Sequence, residues 1–226
     1  PEKAERPFAP FEPKGRFDFL HWDPADEEAI VNRYDDALHY VDEQVGRLWD
    51  ALASRGLLER TIVVVAADHG EMIFDHDMVT HGRTLFDDET RVPLLVHEPV
   101  PDIRRVRAPV STLDVVPTVL DLLGVDAHPG LQGESVRWAG LPGAAPHAAI
   151  FMNVQGWRHL DAVVCLPFKL ISDPENGTRA LHDLDRDPGE TRDAARDEPG
   201  ATRALEELLA AHIEAQQRYH ADTEEG

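Results

Sequence analysis

The stretch Thr61-Ile62-Val63-Val64-Val65-Ala66-Ala67-Asp68-His69-Gly70-Glu71 constrains this chain more than any other. Ile62 to Ala67 is an unbroken apolar run, rich in β-branched residues. Such a run reads as a strand buried on both faces, as inside a parallel sheet. It stops abruptly at Asp68-His69-Gly70. In open α/β sheets ligands bind just beyond the carboxyl ends of strands. An aspartate beside a histidine, followed by a glycine that lets the backbone turn closely, offers two adjacent donors for a metal ion. A turn built on the aspartate side chain, with an incidental histidine, is the plainer alternative.

The sequence that follows favours the metal reading. After the strand come Thr80-His81-Gly82-Arg83-Thr84-Leu85-Phe86-Asp87-Asp88-Glu89 and Arg91-Val92-Pro93-Leu94-Leu95-Val96. Then comes Ser111-Thr112-Leu113-Asp114-Val115-Val116-Pro117-Thr118, continuing to Gly124. This ordered set resembles the sulfatase family of the alkaline-phosphatase-like superfamily. In that family a strand ending Asp-His-Gly-Glu or Asp-Asn-Gly precedes a Lys-Gly or His-Gly pair, an acidic stretch, Arg-Val-Pro and a Ser-x-x-Asp-x-x-Pro-Thr helix. The likeness extends over nearly the whole chain, more weakly at both ends.

The resemblance implies that Asp68 and His69 are metal ligands and that the ion is Ca²⁺. Because imidazole suits transition metals better than oxygen-seeking ones, Mn²⁺ is the alternative. It also places His81, just before Gly82, where the family has a lysine or histidine in contact with the ester oxygens. A protonated imidazole there can stabilise developing negative charge or protonate a leaving oxygen. Arg83 is a second candidate for binding the same anion. A surface histidine at a helix start is the simpler account of His81. His76, with Asp75 and Asp77 around it, is read as part of a solvated loop beside the site, His21 as a weak site candidate in a poorly matching context.

Composition bears on partners. The 226 residues carry a formal net charge of −21, which argues against nucleic acid or an anionic membrane surface as a partner. A substrate that is a sulfate or phosphate ester must overcome that field, and a divalent cation is the evident local counter-charge. No run is long and apolar enough to span a membrane. The single cysteine excludes an intrachain disulfide. The chain opens on Pro1 without a methionine, read as a truncated or processed start, so the compartment stays open.

Taken in order, Pro1 to Asp23 reads as an irregular proline- and aromatic-rich segment. Asp23-Pro24 then supplies an N-cap with proline at the first helical position. Ile30, Tyr34, Leu38, Val41, Val45, Leu48 and Leu52 recur at helical spacing, predicting a long amphipathic helix that ends near Gly56 and packs on the sheet. Glu71 to His81 reads as a loop, Val92 to Val96 as a strand and Leu113 to Leu123 as a short helix closed by Gly124. From Ala148 the pattern changes to short strands: Ala149 to Val154, His159 to Leu166, Phe168 to Ser172 and Thr178 to Asp183. Asn176-Gly177 between the last two is a hairpin signal. Leu181-His182-Asp183-Leu184-Asp185-Arg186-Asp187-Pro188-Gly189-Glu190 resembles the family's closing strand and turn, and Ala201 to Ile213 is a terminal helix. The expected architecture is α/β: part of a large mixed or parallel sheet with flanking helices over residues 1–146, then a small antiparallel sheet with a C-terminal helix over 147–226.

Cys165-Leu166-Pro167-Phe168-Lys169 looks at first like the family's nucleophile motif, Cys-x-Pro-Ser-Arg, whose cysteine becomes formylglycine. The serine and arginine are missing, and the segment lies in the C-terminal strand pattern, so Cys165 reads as a small apolar residue. The formylglycine nucleophile is therefore expected upstream of this chain. The expectation is a portion of a metal-dependent hydrolase of sulfate esters, acting on a small-molecule or saccharide sulfate. A phosphonate or phosphate ester hydrolase of the same superfamily, or a non-catalytic binding protein derived from it, are the alternatives. Asp68, His69 and His81 are expected to share one pocket, with the imidazole of His81 within about 12 Å of the Asp68 carboxylate.

Overall fold

The structure, a computed structural model, describes residues 24–99, 105–106, 108–137, 147–156 and 158–224. The predicted segment before Pro24, with His21, lies outside them. The chain divides into two compact units. One contains Thr80–Arg91 and His147–Gly226, the other Pro13–Val79 and Val92–Pro146.

The second unit begins with the predicted helix, Pro24–Ser54 (α1). Strand β1 is Val63–Ala66 and strand β4 is Leu94–His97. β1 was expected within a large mixed or parallel sheet; among the described residues it pairs with β4, antiparallel, Val63 opposite His97 and Ala66 opposite Leu94, in a mixed α/β arrangement of sheets and helices. An apolar run encodes a demand for burial and says nothing of which strand flanks it. The stripe of α1 makes the same point: Tyr34, Leu38, Val41, Val45 and Leu48 stay between 37% and 59% exposed. The predicted loop after Gly70 contains a hairpin, Met72–Ile73 (β2) with Val79–Thr80 (β3).

The Ser111-x-x-Asp114 motif is a capping box at the head of helix α3, Val115–Leu123. Fully buried Asp114 accepts from Ser111 N at 2.7 Å and from Glu134 N at 2.9 Å, while Thr118 Oγ1 accepts from Val136 N at 3.0 Å. Between these anchors a Cβ on Gly133 would fall 2.1 Å from Leu113 O, so only glycine fits there. The motif thus fastens residues 133–136 onto α3.

In the first unit the predicted antiparallel sheet is present as β5 (Ile150–Val154), β6 (Leu160–Cys165), β7 (Phe168–Asp173) and β8 (Thr178–Asp183), in that order. Its register stacks Val163, Leu170 and Leu181 across one face, where Leu205 and Leu209 of the terminal helix α4 (Pro199–Glu224) close the core. The opposite face carries Ala162, Ile171 and Ala180, all 2% exposed or less, together with Lys169 and His182. That second face was not anticipated as buried. The segment Thr80–Arg91 covers it, with the short helix α2 at Asp87–Thr90 and Leu85 and Phe86 buried. Cys165 ends β6 and packs beside the core as a free thiol, in keeping with its reading as a small apolar residue.

Candidate functional site

Asp68 and His69 follow β1 directly, as the sequence predicted. The Asp68 carboxylate accepts the backbone N–H of His69 at 3.0 Å. The ring of His69 has its Nδ1 2.8 Å from Gly70 O. A carbonyl only accepts, so Nδ1 carries the proton in that contact, and Nε2 is the ring nitrogen left to face a metal. Nε2 lies 3.8 Å from Asp68 Oδ2, with the side chains 46% and 90% exposed. A carboxylate oxygen and an imidazole nitrogen therefore stand side by side, the imidazole oriented by a backbone carbonyl in the manner of metal-ligating histidines. This donor pair fits two positions of a divalent-cation site. It does not complete one: hard cations take about six or more ligands, and among the described residues no three His, Cys, Asp or Glu side chains gather as a metal site.

Between this pair and His81 the backbone takes an unusual course. Phe74, His76 and Asp77 adopt φ values of 69°, 51° and 60°, the left-handed region that side-chain-bearing residues seldom enter. Phe74 N bonds Met78 O at 2.7 Å and closes the turn. Such strain persists only where surrounding structure enforces it, and it concentrates near functional sites.

His81 is exposed and Gly82 sits at φ +71°. The turn they begin wraps around a carboxylate that sequence reasoning did not single out. Glu89, 4% exposed, accepts on Oε2 from the backbone N–H groups of Gly82, Arg83 and Thr84 at 2.9, 3.2 and 3.4 Å, and on Oε1 from Thr84 Oγ1 at 2.9 Å. Arg91 meets this acidic stretch in a loose, exposed contact, Arg91 Nη1 to Asp87 Oδ2 at 3.8 Å. The stronger partner of Asp87 is Lys169, which has no exposed surface and whose Nζ is 2.9 Å from Asp87 Oδ1, 2.9 Å from Glu190 Oε1 and 3.5 Å from Thr90 Oγ1. Glu190 also accepts the Asp87 backbone N–H at 2.5 Å. Burial pushes the Glu190 carboxyl above its ordinary range, and the Lys169 ammonium and the Asp87 N–H oppose that rise. Burial, aided by the nearby Lys169 charge, lowers His182 to about 4.

Asp68 and His69 thus form one adjacent pair in the second unit, and His81 and Arg83 share the Glu89-centred turn of the first.

The Sulfatase family model matches residues 5–125, more than half of the chain, and the chain belongs to the sulfatase family. It is 31% identical over 185 residues to arylsulfatase K of Danio rerio, covering 77% of this chain and 35% of that protein. It is 28% identical over 191 residues to the Delta 4,5-hexuronate-2-O-sulfatase of Bacteroides thetaiotaomicron, covering 78% of this chain and 39% of that protein. Among solved structures, the phosphonate monoester hydrolase of Agrobacterium radiobacter superposes with a TM-score of 0.75 at 27% identity, over 87% of this chain and 43% of that one. The chain therefore spans about two fifths of the length of the relatives it matches.

Proposed function

We propose that the chain is the C-terminal portion of a metal-dependent hydrolase of sulfate esters, with sulfated saccharides among its substrates. The observation that carries this is the adjacent Asp68 Oδ2 and His69 Nε2 at a strand end within the matched sulfatase region. The relative named for a hexuronate-2-O-sulfatase activity supports the saccharide class.

Asp68 and His69 would hold one divalent cation, Ca²⁺ or, given the imidazole, Mn²⁺. A bound cation supplies Lewis-acid charge to a sulfuryl oxygen and offsets the acidic field of the chain. His81 would contact the ester itself. Its ring N–H donates to an ester oxygen and, when protonated, passes a proton to the leaving oxygen. Arg83 adds a second positive charge for the anion. The remaining ligands and the formylglycine nucleophile belong to polypeptide outside these 226 residues. Phosphonate or phosphate ester hydrolysis is the second reading, favoured by the likeness to the phosphonate monoester hydrolase.

In the complete enzyme, Asp68→Ala weakens metal affinity, so that the Ca²⁺ or Mn²⁺ needed to restore an EDTA-treated sample rises at least tenfold, in line with about 10–100-fold effects even for outer-shell metal residues. His81→Ala lowers turnover of para-nitrophenyl sulfate by about 10²-fold with metal binding unchanged. A phosphonate monoester turned over faster than the sulfate would select the second reading. An Asp68→Ala enzyme with unaltered metal affinity would remove the first.

A further inference from the structure

The turn bearing His81 and Arg83 is not an exposed loop free to wander. Gly82, Arg83 and Thr84 direct three successive backbone N–H groups at one carboxylate, that of Glu89. Successive N–H groups in this arrangement form a concave nest that ordinarily holds an anion. Here a side chain of the same segment fills it. A buried carboxylate is costly unless its oxygens are satisfied, and the Thr84 hydroxyl on Oε1 completes the set. Gly82 begins this turn at φ +71°, and an added Cβ there would meet nothing within 4 Å. It is conformation, not space, that calls for glycine there.

Glu89 is itself fixed. It lies on α2, whose first residue, Asp87, is gripped twice from the C-terminal sheet and its closing turn: through its carboxylate by Lys169 and through its N–H by Glu190. Glu190 holds φ +50°, a left-handed conformation that a glutamate adopts only under constraint. A continuous set of short polar contacts therefore runs from strand β7 through Asp87 and α2 to the backbone on which His81 and Arg83 are mounted.

We propose that Glu89 is a positioning residue for the His81–Arg83 turn and that Lys169 and Glu190 anchor it, so that the C-terminal sheet sets the reach of His81 towards the substrate. This rests on the reading that His81 contacts the ester. Misplacing a reacting group by about 1 Å costs up to about a hundredfold in rate, so the signature belongs in kcat.

The test is a double-mutant cycle in the complete enzyme with para-nitrophenyl sulfate, recording kcat and KM separately. Glu89→Gln keeps the shape and loses the charge. It should lower kcat about tenfold or more, leave KM within about twofold, and speed amide exchange at Gly82, Arg83 and Thr84. In a His81→Ala background the same change should cost less than about twofold, because a residue that acts through His81 has nothing left to position. Equal losses in the two backgrounds would reduce Glu89 to general structural support and overturn the proposal, as would an unchanged kcat. If His81→Ala alone leaves turnover at the wild-type level, the assignment of His81 has failed and takes this proposal with it. If His81→Ala is impaired while the cycle is additive, only the positioning role has failed. Should Glu89→Gln not fold, Thr84→Val removes one of the four bonds to Glu89, and the same cycle applies with an expected loss of about threefold.

Discussion

Lys169 is the second residue of β7 and has no exposed surface, flanked by the carboxylates of Asp87 and Glu190. Removing one member of a buried charged set leaves the others uncompensated and costs about 3–5 kcal/mol, whereas neutralising the whole set is far milder. Lys169→Met should therefore destabilise the first unit by that amount in urea unfolding, and Lys169→Met with Asp87→Asn and Glu190→Gln should recover much of it. His182, on the same sheet face and edge-on to Phe86 at 5.8 Å, gives a pH signature. Its ring stays neutral in the fold down to about 4, whereas the unfolded chain takes the proton near 6.5. Between those values the unfolded state binds more protons, so stability falls as pH drops through the window, by about 3 kcal/mol. Lys169 adds to the depression, while Asp193, Asp187 and a backbone contact to Arg192 moderate it. Glu190 acts with the opposite sign: its raised carboxyl contributes stability that is present at low pH and is lost as pH rises through its folded value. Comparing wild type with His182→Phe from pH 4 to 6.5 isolates the histidine, and the difference in slope should vanish above about pH 7. At this scale Asp68, His69 and His81 stand out as candidates because each sits in a short ordered motif. Glu89, Lys169 and Glu190 were not, since their roles depend on contacts such as Lys169 to Asp87, 82 positions apart, that no local pattern encodes.

The elements of the C-terminal sheet were read to within a residue or two, and the reason is physical. Asn176-Gly177 fixes the β7–β8 turn, with Gly177 at φ +63°. Burial would push the Asp173 carboxyl up, but hydrogen bonds from the side chain and backbone of Asn176, together with the Arg158 guanidinium, outweigh it and hold it below the usual range. Helical spacing in turn placed Leu205 and Leu209 over Leu181. Leu181 is fully buried in that cluster, so Leu181→Ala should cost about 2–5 kcal/mol of unfolding free energy by calorimetry or denaturant titration. A cost under about 1 kcal/mol would mean that α4 does not close the core. The β2–β3 hairpin escaped notice for the converse reason. Its turn uses Phe74, His76 and Asp77 in the left-handed region, where sequence reasoning looks for glycine or asparagine. Strands β1 and β4 were both legible as strands, but not their antiparallel pairing, because a β-branched run fits either kind of ladder.

For the whole molecule, two quantities belong together: the net charge of −21 and the exposed apolar stripe of α1. Charge of one sign keeps a chain soluble, whereas a contiguous apolar helix face marks a surface built for contact. Produced alone, the 226-residue chain should bind a hydrophobic dye such as ANS strongly, and Leu38→Glu with Leu48→Glu should reduce that binding without lowering the unfolding temperature of the first unit, whose core lies elsewhere. The same chain should not turn over para-nitrophenyl sulfate. Asp68 and His69 are two candidate metal donors where about six ligands are needed, and the nucleophile motif of the family does not occur in the chain. His81 without a nucleophile can stabilise charge but has no bond-forming partner. The expected result is no release of para-nitrophenol above the buffer rate at any Ca²⁺ or Mn²⁺ concentration, alongside measurable turnover by the complete enzyme. Turnover by the 226-residue chain that Asp68→Ala abolishes would show instead that these residues contain a whole active site. The nucleophile would then have to be sought among their own serine, threonine or cysteine side chains.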